Sequence, residues 1–386
     1  MDVNDYFDPV IIEPDYFKTQ LETSSYLNSL TINHVDHPIK TIKEADIAII
    51  GVAEDRNSLL RGCAEAPNEI RKQLYKLYKN SSRFNVYDLG NIKATSTASE
   101  THFALREVLI ELLNKGILPI ILGGNQDLTY PAFLAYHYLQ KQTSITLIDS
   151  RFDLKNATEK LDETTFISKI ILHQSEYLYN IANIGFQTYL VPNEELTLMS
   201  NLLFDLYRLG EVRSDIREIE PIIRDSDMLS MDISAVKQAD APGCNHTSPN
   251  GLTADEICQL AKYAGLSDKV SSFGIYEVNP QLDDRHQTSK LAAQVIWHFI
   301  DGYYARKNDS PNTGSSAHTK FIVDLNQIGH RLIFYKSIVS ERWWMEIPQV
   351  SSKYLPQLLA CTYTDYQCAC NQEIPDRLWR FMQKTS

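Results

Sequence analysis

The chain has 386 residues, enough for one large α/β domain with additions, and the make-up of an ordinary globular protein: 43% hydrophobic, 22% charged. A net charge of −12 argues against a nucleic-acid backbone as main partner, and no apolar run approaches the length of a membrane span. Six scattered cysteines do not make a disulfide framework, and the acidic start "MDVNDYFDPVIIEPDYF" lacks the basic n-region of a signal peptide, so a reducing, cytoplasmic setting is expected.

Residues 1–44 are polar with dispersed aromatics and read as an N-terminal extension packed on a core. "ADIAIIGVAED" (45–55) predicts a buried strand that leaves into a loop. "APNEIRKQLYKLY" (66–78) has Pro67 near a helix start and apolar positions at helical spacing. "FALREVLIELLNKG" (103–116) predicts an amphipathic helix stopped by Gly116. Short apolar strands follow at 118–124, 144–149, 180–186, 227–234 and 270–278, with helical patterns at 131–140, 164–175, 195–209, 253–264 and 288–304. This alternation is the signature of a mostly parallel sheet with helices on both faces, an α/β domain over 45–304.

After residue 304 the pattern changes. Residues 305–320 are polar and turn-rich, as in a mobile loop. "KFIVDL", "HRLIFYKS" and "ERWWMEIP" predict short strands, an antiparallel add-on at a sheet edge, and 375–384 a closing helix. Residues 305–386 are thus expected to pack on the same domain and to offer a surface to a protein partner. Trp343 and Trp344 are adjacent on a strand, so one should enter the core and the other stand as an exposed anchor. Cys361, Cys368 and Cys370 have the wrong spacing for a zinc site.

Chemistry concentrates at strand ends, where sites on open α/β sheets lie. "ILGGNQDLT" (121–129) brings two glycines and then Asn125, Gln126 and Asp127. "TLIDSRFDL" (146–154) presents Asp149, Arg151 and Asp153. "SMDISAVKQADAPG" (230–243) places Asp232 before a long loop, and "GIYEVNPQLDD" (274–284) places Glu277. Asp149, Asp153, Asp232 and Glu277 are expected to converge on one rim of the sheet. Singly, each has a plain structural reading: a glycine pair makes a turn, and an aspartate caps the next helix.

Together and in this order, these segments resemble the ureohydrolase superfamily of arginase, agmatinase and formimidoylglutamase, over about residues 45–304. "GCAEAPNEIRKQL", "APGCNHTSPNGLT" and "EVNPQLDDRHQTSKLAA" are further matching motifs, the second most similar to the formimidoylglutamase-like branch. The resemblance implies a three-layer α/β/α sandwich, and six ligands for two manganese ions that activate a bridging water. Position by position, the histidine after "GGN" is Gln126. The D-x-H-x-D motif keeps Asp149 and Asp153 but carries Arg151 at its centre. The D-x-D pair keeps Asp232 and ends in Ser234. Where the family has a proton-shuttle histidine, "LDETTFISK" (161–169) offers Thr164 and Thr165.

The resemblance therefore implies a degenerate manganese site and a pseudoenzyme: no cofactor, and a non-catalytic binding or scaffold role. Arg151 is expected to replace an ion's charge by forking onto the acids. The alternative is an active hydrolase on the C–N bonds of a linear amidine, with one manganese or magnesium ion at Asp149, Asp153 and Asp232, assisted by the Gln126 carbonyl oxygen. Asn125 and Glu277 stand where the family meets its substrate, and a small cation is the ligand they suit.

Overall fold

Runs such as "IAIIG" and "SITLI" have no polar face, and only a strand covered on both sides can use them. In the computed structural model, which describes residues 3–11, 23–42, 44–58, 60–155, 160–173, 176–311, 318–325, 330–347 and 358–385, that is where they lie. The strands are β1 (Phe7–Asp8), β2 (Thr31–Ile32), β3 (Ile47–Gly51), β4 (Val86–Ile92), β5 (Leu118–Leu122), β6 (Thr143–Ile148), β7 (Leu178–Phe186), β8 (Asp205–Arg208), β9 (Met228–Asp232) and β10 (Ser272–Tyr276). They form one ten-stranded sheet in the order β1-β4-β3-β5-β10-β9-β6-β7-β8, with β2 beside β4. All pairings are parallel except β1 on β4.

Alternate residues feed opposite cores. Ile47 and Ile49 pack with helices Ala66–Leu74, Ala254–Leu266 and Gln287–Tyr304, whereas Ala48 and Ile50 pack with Ala98–Asn114, Thr129–Tyr138 and Phe166–His173. This is the expected three-layer sandwich. The helix predicted from 103 starts earlier, at a Thr97–Glu100 capping box, and Gly116 just after it has a φ of +70°. The glycine pair serves packing. A Cβ on Gly124 would sit 1.8 Å from the Glu54 carbonyl oxygen, and one on Gly123 2.2 Å from the Tyr276 ring.

Several expectations need correction. The helical pattern over 195–209 divides into helix Asn193–Asn201, strand β8 and helix Leu209–Ser214, with Leu203 at a φ of +58° in the break. Strand β4 was not expected, because Asp88, Gly90 and Asn91 interrupt its apolar run; Asp88 is tolerated there because Arg71 pairs with it. The N-terminal extension joins the sheet through β1 and β2, and residues 12–22 lie outside the described residues.

The C-terminal strands do not extend the main sheet. Strands β11 (His318–Leu325), β12 (His330–Ser337), β13 (Trp343–Glu346) and β14 (Leu358–Cys361) form a separate antiparallel sheet, closed by helices Tyr363–Cys370 and Asp376–Thr385. It docks through Arg224, which donates to the carbonyls of Trp343 (3.1 Å) and Cys361 (3.3 Å) and lies 4.4 Å from the centre of the Trp344 ring. Neither Trp343 nor Trp344 is therefore the exposed anchor: both are buried, one in the small core and the other under Arg224. Of the loop expected to be mobile, 312–317 lie outside the described residues, and Arg306 ties its start to the carbonyls of Gly265 and Val270, each at 2.8 Å. Cys361, Cys368 and Cys370 are free thiols.

Candidate functional site

Strand order assembles the site. β5, β10, β9 and β6 are neighbours, and their C-terminal ends deliver Gln126, Glu277, Asp232 and Asp149 side by side. These four, with Arg151, Asp153 and Ser234, line a single cavity of about 310 Å³. The convergence of the four acids on one rim is as expected.

Each group is held by its own chain segment. Glu277, at a φ of +66°, accepts from the Gln126 backbone N–H (2.8 Å) and from Asn125 Nδ2 (3.1 Å). Asn125 is fully buried and, by that bond, steadies Glu277. Gln126 Nε2 donates to Ser230 Oγ at 3.2 Å, and its Oε1 is a buried acceptor without a hydrogen-bond partner. Asp232 accepts from both the N–H (2.7 Å) and the hydroxyl (2.6 Å) of Ser234. Asp153 has a φ of +51°, a conformation unusual for a residue with a Cβ, and its carboxyl lies near that of Asp149.

Electrostatics follows from that crowding. Burial, and then the neighbouring Asp232, raise the Asp149 carboxyl to about 8. Burial raises Asp232 to about 6 against the pull of Ser234. Burial followed by Asp149 holds Asp153 well above the carboxylate range, and burial followed by Asp232 does the same to Glu277. Arg151 acts differently from expectation. It makes no ion pair among the described residues; its backbone N–H donates to Asp149 Oδ1 at 2.8 Å, and its charge favours the ionised acids from across the cavity.

A pH dependence of folding follows. Raised carboxyls bind protons that the unfolded chain, with carboxyls near 4, does not. Their contribution is fully present below about pH 4 and is lost as pH rises through 6 to 8. Denaturant unfolding should show this segment destabilising by on the order of 3 kcal/mol over that range, and Asp149→Asn should flatten the curve.

The threonines do not replace a shuttle. Thr165 is fully buried, and both threonines lock the turn around Asp162: Thr164, which also lines the cavity, donates its hydroxyl to Asp162 Oδ1 at 2.8 Å. His246 lines the cavity too and was not anticipated, although it sits in the quoted "APGCNHTSPNG". Burial, with Arg151 and Lys155, keeps its imidazole below the usual range and so neutral at pH 7. Glu195 joins from helix Asn193–Asn201, with no motif to announce it. Asp283 in "LDDRH" is structural: it accepts from the N–H groups of Thr288 (2.7 Å) and Ser289 (2.8 Å) at a helix start.

The family model described as "Arginase family" matches residues 45–301. Formimidoylglutamase of Bacillus subtilis (strain 168) is 27% identical over 280 residues, covering 66% of this chain and 86% of that protein. The Staphylococcus haemolyticus enzyme of the same name is 28% identical over 277 residues, covering 66% and 85%. Trypanosoma cruzi formiminoglutamase solved with Mn2+ superposes with a TM-score of 0.65 at 21% identity, covering 73% of this chain and 99% of that one. Bacillus subtilis formimidoylglutamase gives 0.66 at 22% identity, covering 76% and 98%.

A pair of divalent ions fits this donor set poorly. Arg151 brings a cation to the cavity, and the Ser234 hydroxyl is engaged in donating to Asp232. The unpartnered Gln126 Oε1 and the three aspartates supply oxygen donors alone, the set a single hard cation uses.

Proposed function

The chain belongs to the arginase family, and from that premise we propose that its pocket binds a small cation of the linear-amidine kind without hydrolysing it through a manganese pair. The observation that carries this reading is the crowding of Asp149, Asp153 and Asp232 in one cavity, faced by Arg151 rather than by a metal-binding imidazole. Six acids line the cavity (Asp149, Asp153, Glu163, Glu195, Asp232 and Glu277) against the cations Arg151 and Lys155. An incoming amidinium would pair with the acids it touches and favour their ionised form. A guanidinium at the Arg151 position does not acidify water as a metal does.

The kinship supports a second reading. The relatives above are formimidoylglutamases, and a hydrolase of amidine C–N bonds with one ion or an altered centre would draw on the same acids. Gln126 Oε1 favours it as a free ligand oxygen, and neutral His246 as a base.

Metal analysis of protein purified in manganese and then dialysed, together with an assay for released urea or formamide, separates the two. Less than one tightly held ion and no product above background is the result expected of a binding pocket. Two ions per chain, or product release abolished by Asp232→Asn, overturns it.

A further inference from the structure

A second cavity, about 430 Å³, opens at the other end of the sheet, where β6, β7, β8 and β9 begin. One wall is the parallel sheet and the other the C-terminal sheet with its last helix. We propose that this cavity is a binding site for a small organic anion, a carboxylate or phosphate on an apolar body, gripped by Arg224, Arg380 and Lys384.

The charge balance points to an anion. Five cations line the cavity, namely Arg224, Lys269, Arg377, Arg380 and Lys384, against the acids Asp205, Asp225 and Asp268. This concentration stands out in a chain whose net charge is −12. Three of the cations are already matched: Arg377 with Asp225 at 2.8 Å, Arg380 with Asp205 at 3.0 Å and Lys269 with Asp227 at 3.2 Å.

Two are not fully matched. Arg224 pairs with Glu220 at 3.1 Å, but Arg342 contacts the same carboxylate oxygen at 3.1 Å, so one acid serves two guanidiniums. Arg224 is 5% exposed, and its Nη1 has no hydrogen-bond partner. A buried donor left unmatched is costly and marks a place where a partner belongs. Lys384 donates to Asn180 Oδ1 and makes no ion pair among the described residues. Burial depresses its ammonium further than Asp205 restores it, and Arg380 and Arg377 add to the depression, a cost that a bound anion would relieve.

The rest of the lining suits an apolar body. Trp344, Leu358, Leu359 and Phe381 supply the walls, and Arg224 lies over the Trp344 ring, which fixes its guanidinium plane. The volume is that of a small-molecule site, and such sites recur where two packed units meet. A metal ion is disfavoured by the same cations.

Calorimetric titration of the full chain at fixed ionic strength with phenyl phosphate, benzoate and inorganic phosphate tests the site. One saturable site per chain is expected for an organic probe, with phenyl phosphate binding about tenfold tighter than inorganic phosphate because its ring buries apolar surface. The tighter of phenyl phosphate and benzoate identifies the head group. Arg380→Gln and Lys384→Gln, both at partly exposed positions, should each weaken binding about tenfold. Arg217→Gln, on an exposed arginine outside the cavity, should leave it unchanged. No saturable binding of either organic probe, or affinities equal to the parent in both cavity variants, overturns the proposal.

Discussion

A chain carrying Gln126→His, Arg151→His and Ser234→Asp together is expected to retain manganese after dialysis where the parent does not. The scaffold already brings Asp149, Asp153 and Asp232 to one cavity. What opposes a metal is specific: a guanidinium charge at Arg151, an amide at Gln126 tied to Ser230, and a Ser234 hydroxyl that engages Asp232. The three substitutions remove the charge and supply two imidazoles and a carboxylate, which together with the native aspartates suit manganese. Each site filled at a hundredfold excess over its Kd adds about 2.7 kcal/mol to folding stability, so two sites add roughly 5 kcal/mol. Metal content per chain and denaturant midpoints with and without manganese measure this. A folded triple variant that takes up no metal would show that the cavity walls, and not the three side chains, exclude it.

Asp88→Ala is expected to cost about 3–5 kcal/mol of folding stability. Arg71 and Asp88 form a buried ion pair, with Nε to the carboxylate at 2.9 and 3.1 Å and side-chain exposures of 3% and 0%. Tyr75 donates to the same carboxylate at 2.8 Å, and Arg71 also donates to the Gly90 carbonyl at 2.9 Å. The pair joins helix Ala66–Leu74 to β4. Removing the acid strands a guanidinium that water cannot reach. Removing both charges together, by Arg71→Met with Asp88→Leu, should cost clearly less than Asp88→Ala, because no bare charge remains. Urea unfolding of the three proteins gives the comparison, and equal losses for the single and double variants would mean that packing around Asp88, rather than its charge, holds the strand.

The layered fold was legible because its cause is local. Apolar runs such as "IAIIG" and "SITLI" alternate with amphipathic helical stretches, and that alternation leaves few arrangements besides a covered parallel sheet. Strand β4 was hidden because its buried Asp88 makes sense only with Arg71, 17 residues earlier and on another element. The convergence of Asp149, Asp153, Asp232 and Glu277 was readable because Asp149, Asp232 and Glu277 stand at strand ends, with Asp153 in the loop just after Asp149, and strand ends of such sheets face one rim.

Three matters lay beyond the sequence. His246 and Glu195 enter the cavity from a loop and a helix whose approach depends on packing. The arginine in "DSRFD" could be seen to displace a ligand, but that Arg151 makes no ion pair among the described residues and meets Asp149 by its backbone N–H is a matter of tertiary geometry. The C-terminal strands were visible by their residues, yet whether they would extend the sheet or close on themselves was settled by Arg224, whose hydrogen bonds to Trp343 and Cys361 fix a second sheet over the first. Sequence by itself determined the elements, their alternation and the residues at strand ends, since these follow from local periodicity. Tertiary structure alone decided which charges meet and what the added sheet encloses, since those depend on contacts between residues far apart in the chain.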